Sequence, residues 1–326
     1  MPKRSLTAVL LSTLIWIAFL PVWLVVYVLY SAHMIFASRK LGVSATALSP
    51  MTMRWLQHQL GLRPDEACAR LIKVLPNHCY AGLRAAAIPV LLDHRLTGFV
   101  PKVLRYPYEG IPPAAHSSSV RATFVDAAIE RYLPGVEQFV ELGAGYDTRT
   151  VQLQHDPRIG CFEVDLPKTQ QMKRELLHQC GVDASGVKFV PANFLTDTWL
   201  DNLAETGFDP QKPTFFLWEG VTYYLSREAM EKTFRTIATM PPGSVVVFDY
   251  GTDANIQRSP LGLLVKAVLK TVREPQTFWI SSAPPVKKNL AALMDAYGLS
   301  LRDHLNYGGE TERKRAFGGL AAAVVK

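Results

Sequence analysis

Three short runs end in residues that could hold a polar ligand. The first, Val140-Glu141-Leu142-Gly143-Ala144-Gly145-Tyr146-Asp147-Thr148-Arg149, is an apolar strand pattern that enters a Gly-x-Gly turn and then a helix start at Thr148 to Leu153. Glycine tolerates positive φ and lets a ligand approach the backbone, which a strand-to-helix crossing over a cofactor needs. The second, Cys161-Phe162-Glu163-Val164-Asp165, ends in an acid about 20 residues past the glycines, where a nucleotide-binding unit carries its ribose-binding carboxylate. An ionised carboxylate can accept from both ribose hydroxyls. The third, Pro213-Thr214-Phe215-Phe216-Leu217-Trp218-Glu219-Gly220, is another buried strand ending in an acid. Ligands of open α/β sheets sit outside the carboxyl ends of the strands, so the runs together predict a nucleotide-type cofactor site. The Gly-x-Gly alone is weaker: it lacks the third glycine of a dinucleotide fingerprint and would also serve as a plain tight turn.

The elements that must position these ends follow from hydrophobic period. Strands are predicted at Val136 to Leu142, Cys161 to Asp165, Val187 to Val190, Thr214 to Leu217 and Ser244 to Tyr250. Helices are predicted at Ser117 to Tyr132, Lys168 to Cys180 and Arg227 to Thr239. The alternation gives an α/β fold with a mostly parallel sheet and helices on both faces. Leu299 to Leu305 and Gly319 to Val325 close the chain as further strands. Only Asn306 to Phe317 separates them, too short for a crossover helix, so they pair antiparallel. A seven-stranded, Rossmann-like sheet with a reversed last strand is that of class I methyltransferases.

The amino-terminal part reads differently. After the basic Met1 to Arg4, Leu6 to Tyr30 is uncharged and strongly apolar, with Pro21 inside it. About 20 such residues suffice to cross a bilayer as a helix, and membrane helices tolerate a proline kink. A membrane-spanning anchor is expected here, ahead of a cleaved signal and of a core or interfacial helix. Lys3 and Arg4 on one flank oppose Arg39 and Lys40 on the other, so charge does not set its orientation. Ser49 to Leu75 reads as two helices starting near Pro50 and Pro64. Ala81 to Leu104 is apolar and broken by Pro89, Gly98 and Pro101, and its Asp93-His94-Arg95 cluster reads as a solvated turn. Leu261 to Arg273 reads as an amphipathic lid or packing helix, with lipid contact as the sharper alternative. The expected organisation is an anchor over 1–40, a helical extension over 41–115 and a catalytic domain over 116–326.

With 326 residues, 48% hydrophobic and 19% charged, the chain can bury a sizeable core and is not disordered. Its net charge of +7 is spread without a long basic run, which argues against nucleic acid and suits an anionic membrane surface or acidic substrates. Cys68, Cys79, Cys161 and Cys180 form no Cys-x-x-Cys pair and no metal-ligand spacing. They read as reduced thiols in a chain facing the cytosol, and no metal partner is expected.

Ser119-Val120-Arg121, the Glu141-to-Arg149 run, Phe162-Glu163-Val164-Asp165-Leu166-Pro167 and Glu219-Gly220-Val221-Thr222-Tyr223-Tyr224-Leu225 occur in that order. Together they resemble the leucine carboxyl methyltransferase-like family of S-adenosylmethionine-dependent O-methyltransferases, which includes polyketide-biosynthesis members. The resemblance covers about residues 80 to 326. It implies S-adenosylmethionine as cofactor, with Arg121 on the methionine carboxylate, Glu141, Gly143 and Gly145 around the methionine portion, Asp165 on the ribose and Glu219 facing the amino end. Near the adenine the family shows an aspartate followed by an apolar residue; here the pair is Asn193-Phe194. A neutral amide can accept from the adenine amino group, more weakly than a carboxylate. Tyr223 and Tyr224 are candidates to shape the acceptor pocket. The acceptor would be a carboxylate, which needs no general base, or a hydroxyl, which does, on a small molecule or a protein. Two other readings stand beside this one: a nicotinamide-dependent oxidoreductase on a similar sheet, and a non-catalytic, membrane-anchored scaffold.

Overall fold

The computed structural model describes residues 5–43, 47–194, 198–255, 280–311 and 314–326. The amphipathic stretch at 261–273 lies outside them. The strands are β1 (Gln138–Leu142), β2 (Gly160–Asp165), β3 (Val187–Pro191), β4 (Thr214–Trp218), β5 (Val245–Gly251), β6 (Leu299–Tyr307) and β7 (Gly318–Val325). They form one sheet in the order β3-β2-β1-β4-β5-β7-β6. β1 to β5 are parallel, and β7 runs antiparallel to both β5 and β6. This is the class I methyltransferase arrangement expected from the strand pattern. Every residue of β1, β4 and β5 is buried, as in a sheet covered on both faces, which is why those strands read as largely apolar runs.

Successive side chains feed opposite layers. Phe216, Trp218 and Phe248 pack with α8 (Trp199–Ala204), α9 (Arg227–Ile237) and α10 (Val286–Ala296). Phe139, Phe215 and Val247 pack on the other face with α5 (Ser117–Tyr132), α6 (Arg149–Leu153) and α7 (Pro167–Gln179). That second layer continues without a break into the amino-terminal helices α1 (Leu6–Leu41), α2 (Leu48–Gln59), α3 (Glu66–Leu71) and α4 (Tyr80–Thr97) through Tyr30, Trp55, Leu71 and Leu83. α8 has six residues, too few to show a period, and α10 starts directly after Pro284-Pro285, so neither stood out in the sequence.

Two expectations are corrected in this region. Pro89 does not break the apolar segment: α4 runs through it and ends at Gly98, which takes the left-handed conformation at φ 69°. Packing on α1 and on the body outweighs the lost backbone hydrogen bond. The Asp93-His94-Arg95 cluster is therefore helical, not a turn, and Asp93 is fully buried. Its Oδ2 accepts from Ser12 Oγ at 2.7 Å and Trp16 Nε1 at 3.0 Å of α1. A third difference is length: α1 continues 11 residues past Tyr30, to Leu41.

Candidate functional site

The strand order reverses between β2-β1 and β1-β4, and ligands of such sheets gather at that switch point. The predicted residues meet there. Gly143 and Gly145 follow β1 with φ of 76° and 47°. A Cβ placed on Gly143 would lie 2.3 Å from Val221 Cγ2, so the turn has no room for a side chain. Asp165 closes β2 and fastens this turn: its Oδ2 accepts from Gly145 N at 2.7 Å and its Oδ1 from Leu166 N at 2.6 Å. Ala192 N donates to Asp165 O at 2.8 Å, which brings Asn193 to the same strand edge. Phe194 packs beside it against Trp199, ring centres 6.4 Å apart.

On the β4 side, Glu219 faces two guanidiniums. Arg121 NH1 lies 3.4 Å from its Oε1 and Arg149 NH1 3.0 Å from its Oε2. Arg121 NH2 lies 2.9 Å from Asp249 Oδ2, and Asp249 Oδ1 accepts from Gly220 N at 3.0 Å. Arg121 Nε is buried with no hydrogen-bond partner. Tyr223 lies buried in the short 3₁₀ turn Thr222–Tyr224, its ring 6.3 Å from that of half-buried Tyr224. Burial, with the Asp249 carboxylate nearby, pushes the Tyr223 phenol well above its usual range. Glu141 stands apart inside β1: its Oε2 has no hydrogen-bond partner, and burial plus the Asp147 carboxylate push it well above the usual carboxylate range.

The sequence reading did not anticipate what lies behind this cluster. Arg149 also holds Asp126 (Nε to Oδ1, 3.1 Å) and pairs with Asp147. Asp147 in turn meets Arg54 NH1 at 2.8 Å. Arg54 reaches Asp65 at 2.7 Å and Thr148, while Arg63 joins Asp65 at 2.8 Å to Asp126 at 2.5 Å. A buried ionic network thus runs from the amino-terminal helices, under the glycine turn, to Glu219, Arg121 and Asp249. Two acid-base pairs set two residues apart, Arg63-x-Asp65 and Asp147-x-Arg149, are its local signals in the sequence.

The network carries a pH dependence. Burial alone would raise the Asp65 carboxyl, but Arg54 and Arg63 outweigh it and hold it at about 2. The folded value lies below the unfolded one of about 3.9, so the stabilisation is full above about pH 4 and is lost as pH falls through about 2. Urea unfolding between pH 5 and 2 is expected to lose about 2 kcal/mol through this group, with a shallower decline in Asp65→Asn.

Residues 107–238 match the family model described as leucine carboxyl methyltransferase. A curated relative from Bacillus subtilis (strain 168), "Putative S-adenosyl-L-methionine-dependent methyltransferase YktD", is 31% identical over 197 residues, 57% of this chain and 62% of that one. A protein of Mycobacteroides abscessus named in the same terms is 31% identical over 58% of this chain and 64% of its own length. The chain therefore spans just under two thirds of these relatives. Among solved structures, the mitomycin 7-O-methyltransferase MmcR shares 17% identity over 65% of this chain and 56% of that one, at a TM-score of 0.42. The order β3-β2-β1-β4-β5-β7-β6 is itself the class I arrangement. The family match falls on the segment that carries β1 to β4 and the glycine turn, and there the chain is similar to leucine carboxyl methyltransferase and to relatives named as S-adenosyl-L-methionine-dependent methyltransferases.

Proposed function

We propose that the chain is an S-adenosylmethionine-dependent O-methyltransferase held at a membrane through α1, with its catalytic body in the cytosol and its anchor, extension and catalytic domain divided near residues 40 and 115. The observation that carries the reading is the convergence at the switch point of a side-chain-free glycine turn, a strand-end carboxylate and a buried arginine with an open donor. These suit the cofactor. Its amino-acid end carries one carboxylate and one ammonium, and the site offers the partnerless Arg121 Nε and the Glu219 carboxylate. On this reading Gly143 and Gly145 leave room for the methionine portion, beside buried Glu141. Asp165 keeps lone pairs for the ribose hydroxyls beyond its two N–H bonds, and Asn193 and Phe194 bound the adenine.

Bound there, S-adenosylmethionine supplies a methyl group on a sulfonium, activated for in-line displacement by an oxygen. The protein's part is to align the acceptor and exclude water. Tyr223 holds its proton at neutral pH, so it can donate to the acceptor but not deprotonate it. Glu219 and Asp249 are both engaged by Arg121. A group that arrives ionised suits these residues best, which favours a carboxylate over a hydroxyl. Incubation with methyl-labelled cofactor and cell extract, followed by identification of the product, tests this. Base-labile label indicates an ester; base-stable label on a hydroxyl rejects the carboxylate, and no transfer rejects the enzyme reading.

Asp165→Ala is expected to weaken cofactor binding by about 1–3 kcal/mol, the scale for losing hydrogen bonds to a charged group. Calorimetry on the folded variant checks it; unchanged affinity would remove Asp165 from the site.

Membrane attachment is supported by α1, which among the described residues is the one helix long and apolar enough to cross a bilayer. The cytosolic orientation is supported by the cofactor's supply and by cysteines that pair with nothing in the fold. The protein should then stay with membranes through carbonate or high salt and leave with detergent. Recovery of the full chain as a soluble protein would defeat the attachment.

A further inference from the structure

α1 does not project from the folded body; it is fastened to it along its length. Near its start, Ser12 and Trp16 donate to Asp93 of α4. Farther on, Trp23 Nε1 donates to Ala86 O at 3.0 Å, and Tyr30 OH bonds His78 Nδ1 at 3.0 Å. Asn77 Nδ2 donates to Ser38 Oγ at 3.1 Å, and Lys168 Nζ reaches Leu41 O at 2.8 Å. From Ser12 to Leu41 these contacts extend over about 44 Å of helix at about 1.5 Å per residue. That exceeds the roughly 30 Å hydrocarbon core of a bilayer. Were α1 to cross, α4 and the part of α2 that shares an apolar cluster with Trp16 would be carried into the lipid with it.

The opposite face of α1 is bare and apolar. Leu10, Leu14, Ile17, Leu24, Val28 and Phe36 are all more than half exposed, and no Asp, Glu, Lys or Arg occurs between Arg4 and Arg39. α4 extends this surface. Gly82, Ala86 and Asp93 turn toward α1, while Leu83, Ala87 and Val90 turn into the body. At about 100° per residue, Leu96, Leu92 and Ile88 run in that order away from the α1-facing stripe, and Arg95 and Arg84 follow on the far flank beside Ile88. Leu96 and Ile88 are exposed. An apolar strip edged by arginines, with Arg39 and Lys40 at the end of α1, is the charge pattern of a surface that enters the lipid boundary beside anionic headgroups.

We propose that α1 and α4 together form one face of the rigid body that lies in the plane of a membrane containing anionic lipid, and that α1 does not cross it. The inference rests on the membrane attachment proposed above and names its geometry. It replaces the crossing expected from length and composition alone: the length is right, but the helix is already docked.

The test uses the full chain in sealed vesicles with the cytosolic face outward. Lys3→Cys and Lys326→Cys are each exposed to a membrane-impermeant maleimide and read by peptide mass spectrometry, so the native cysteines stay in place. Both positions are expected to react without opening the vesicles. Reaction at 326 with position 3 protected until the vesicles are opened would overturn the in-plane arrangement and leave the membrane attachment intact. In a second measurement, Leu96→Cys carries an environment-sensitive dye, and the protein is mixed with phosphatidylcholine–phosphatidylglycerol vesicles bearing nitroxide-labelled acyl chains. At least twofold quenching is expected. A bound protein with an unquenched dye would remove α4 from the face, and a protein that binds no vesicles would overturn the attachment and the inference together.

Discussion

Arg149→Ala is expected to destabilise the fold by about 3–5 kcal/mol, the scale for removing one partner of a buried ionic group. Arg149 is 2% exposed and stands among Asp126, Asp147 and Glu219. Its removal leaves three carboxylates in a desolvated space, with Arg54, Arg63 and Arg121 reaching each from one side only. Much of the effect is the penalty of stranding those charges rather than the net strength of the pairs. Denaturant unfolding of the wild type and the variant measures it. Arg149→Lys keeps the charge but loses the fork that spans three acceptors, and should fall between them. A loss under about 1 kcal/mol for the alanine variant would mean that the network is wet and screened in solution.

The second large effect belongs to Gly143. Gly143→Ala should cost about 1–2 kcal/mol for an L-residue held in the left-handed region. Overpacking against Val221 adds about 1–3 kcal/mol, because that side chain sits where the new methyl must go. Val221 follows Gly220 in the loop that carries Glu219, so relief of the clash displaces the residue facing the proposed ammonium site. Cofactor affinity is therefore expected to fall more steeply than stability. The two contributions separate in the double variant Gly143→Ala/Val221→Ala, which removes the clash and keeps the backbone penalty. Affinity restored to near wild type would assign the effect to crowding. Wild-type affinity in the single variant would mean that the turn does not shape the site.

The parts of the fold that were legible in the sequence share a physical reason. A strand buried on both faces is mostly apolar, and a strand end at the switch point must turn and offer polar groups, so Leu142-Gly143, Val164-Asp165 and Trp218-Glu219 stand out in the sequence. Arg121 came from resemblance, and the structure places it against Glu219 and Asp249. Asp249 escaped notice because it lies inside an unbroken apolar run, and only the three-dimensional neighbour explains a carboxylate there. Arg54, Arg63 and Asp65 pair with residues some 60 to 90 positions away, and no period or spacing encodes such a partner. Asp93 failed for the opposite reason: its local context, Asp-His-Arg near a glycine, looks like solvent, while Ser12 and Trp16 supply the donors from a distant helix.

The ionic network also bears on how the chain can vary by descent. Asp65 of the extension accepts from Thr148 and Gln152, and Arg54 pairs with Asp147, so the floor of the glycine turn is built from two distant stretches of sequence. A shortened chain that began at 116 would leave Asp147 and Asp126 without Arg54 and Arg63. The amino-terminal helices are therefore no detachable accessory, to be gained or lost as a block around an unchanged sheet. Substitutions at 54, 63 and 65 should be inherited in step with those at 126, 147 and 149. A lineage that shed the amino-terminal helices would have to neutralise the turn's own charges first.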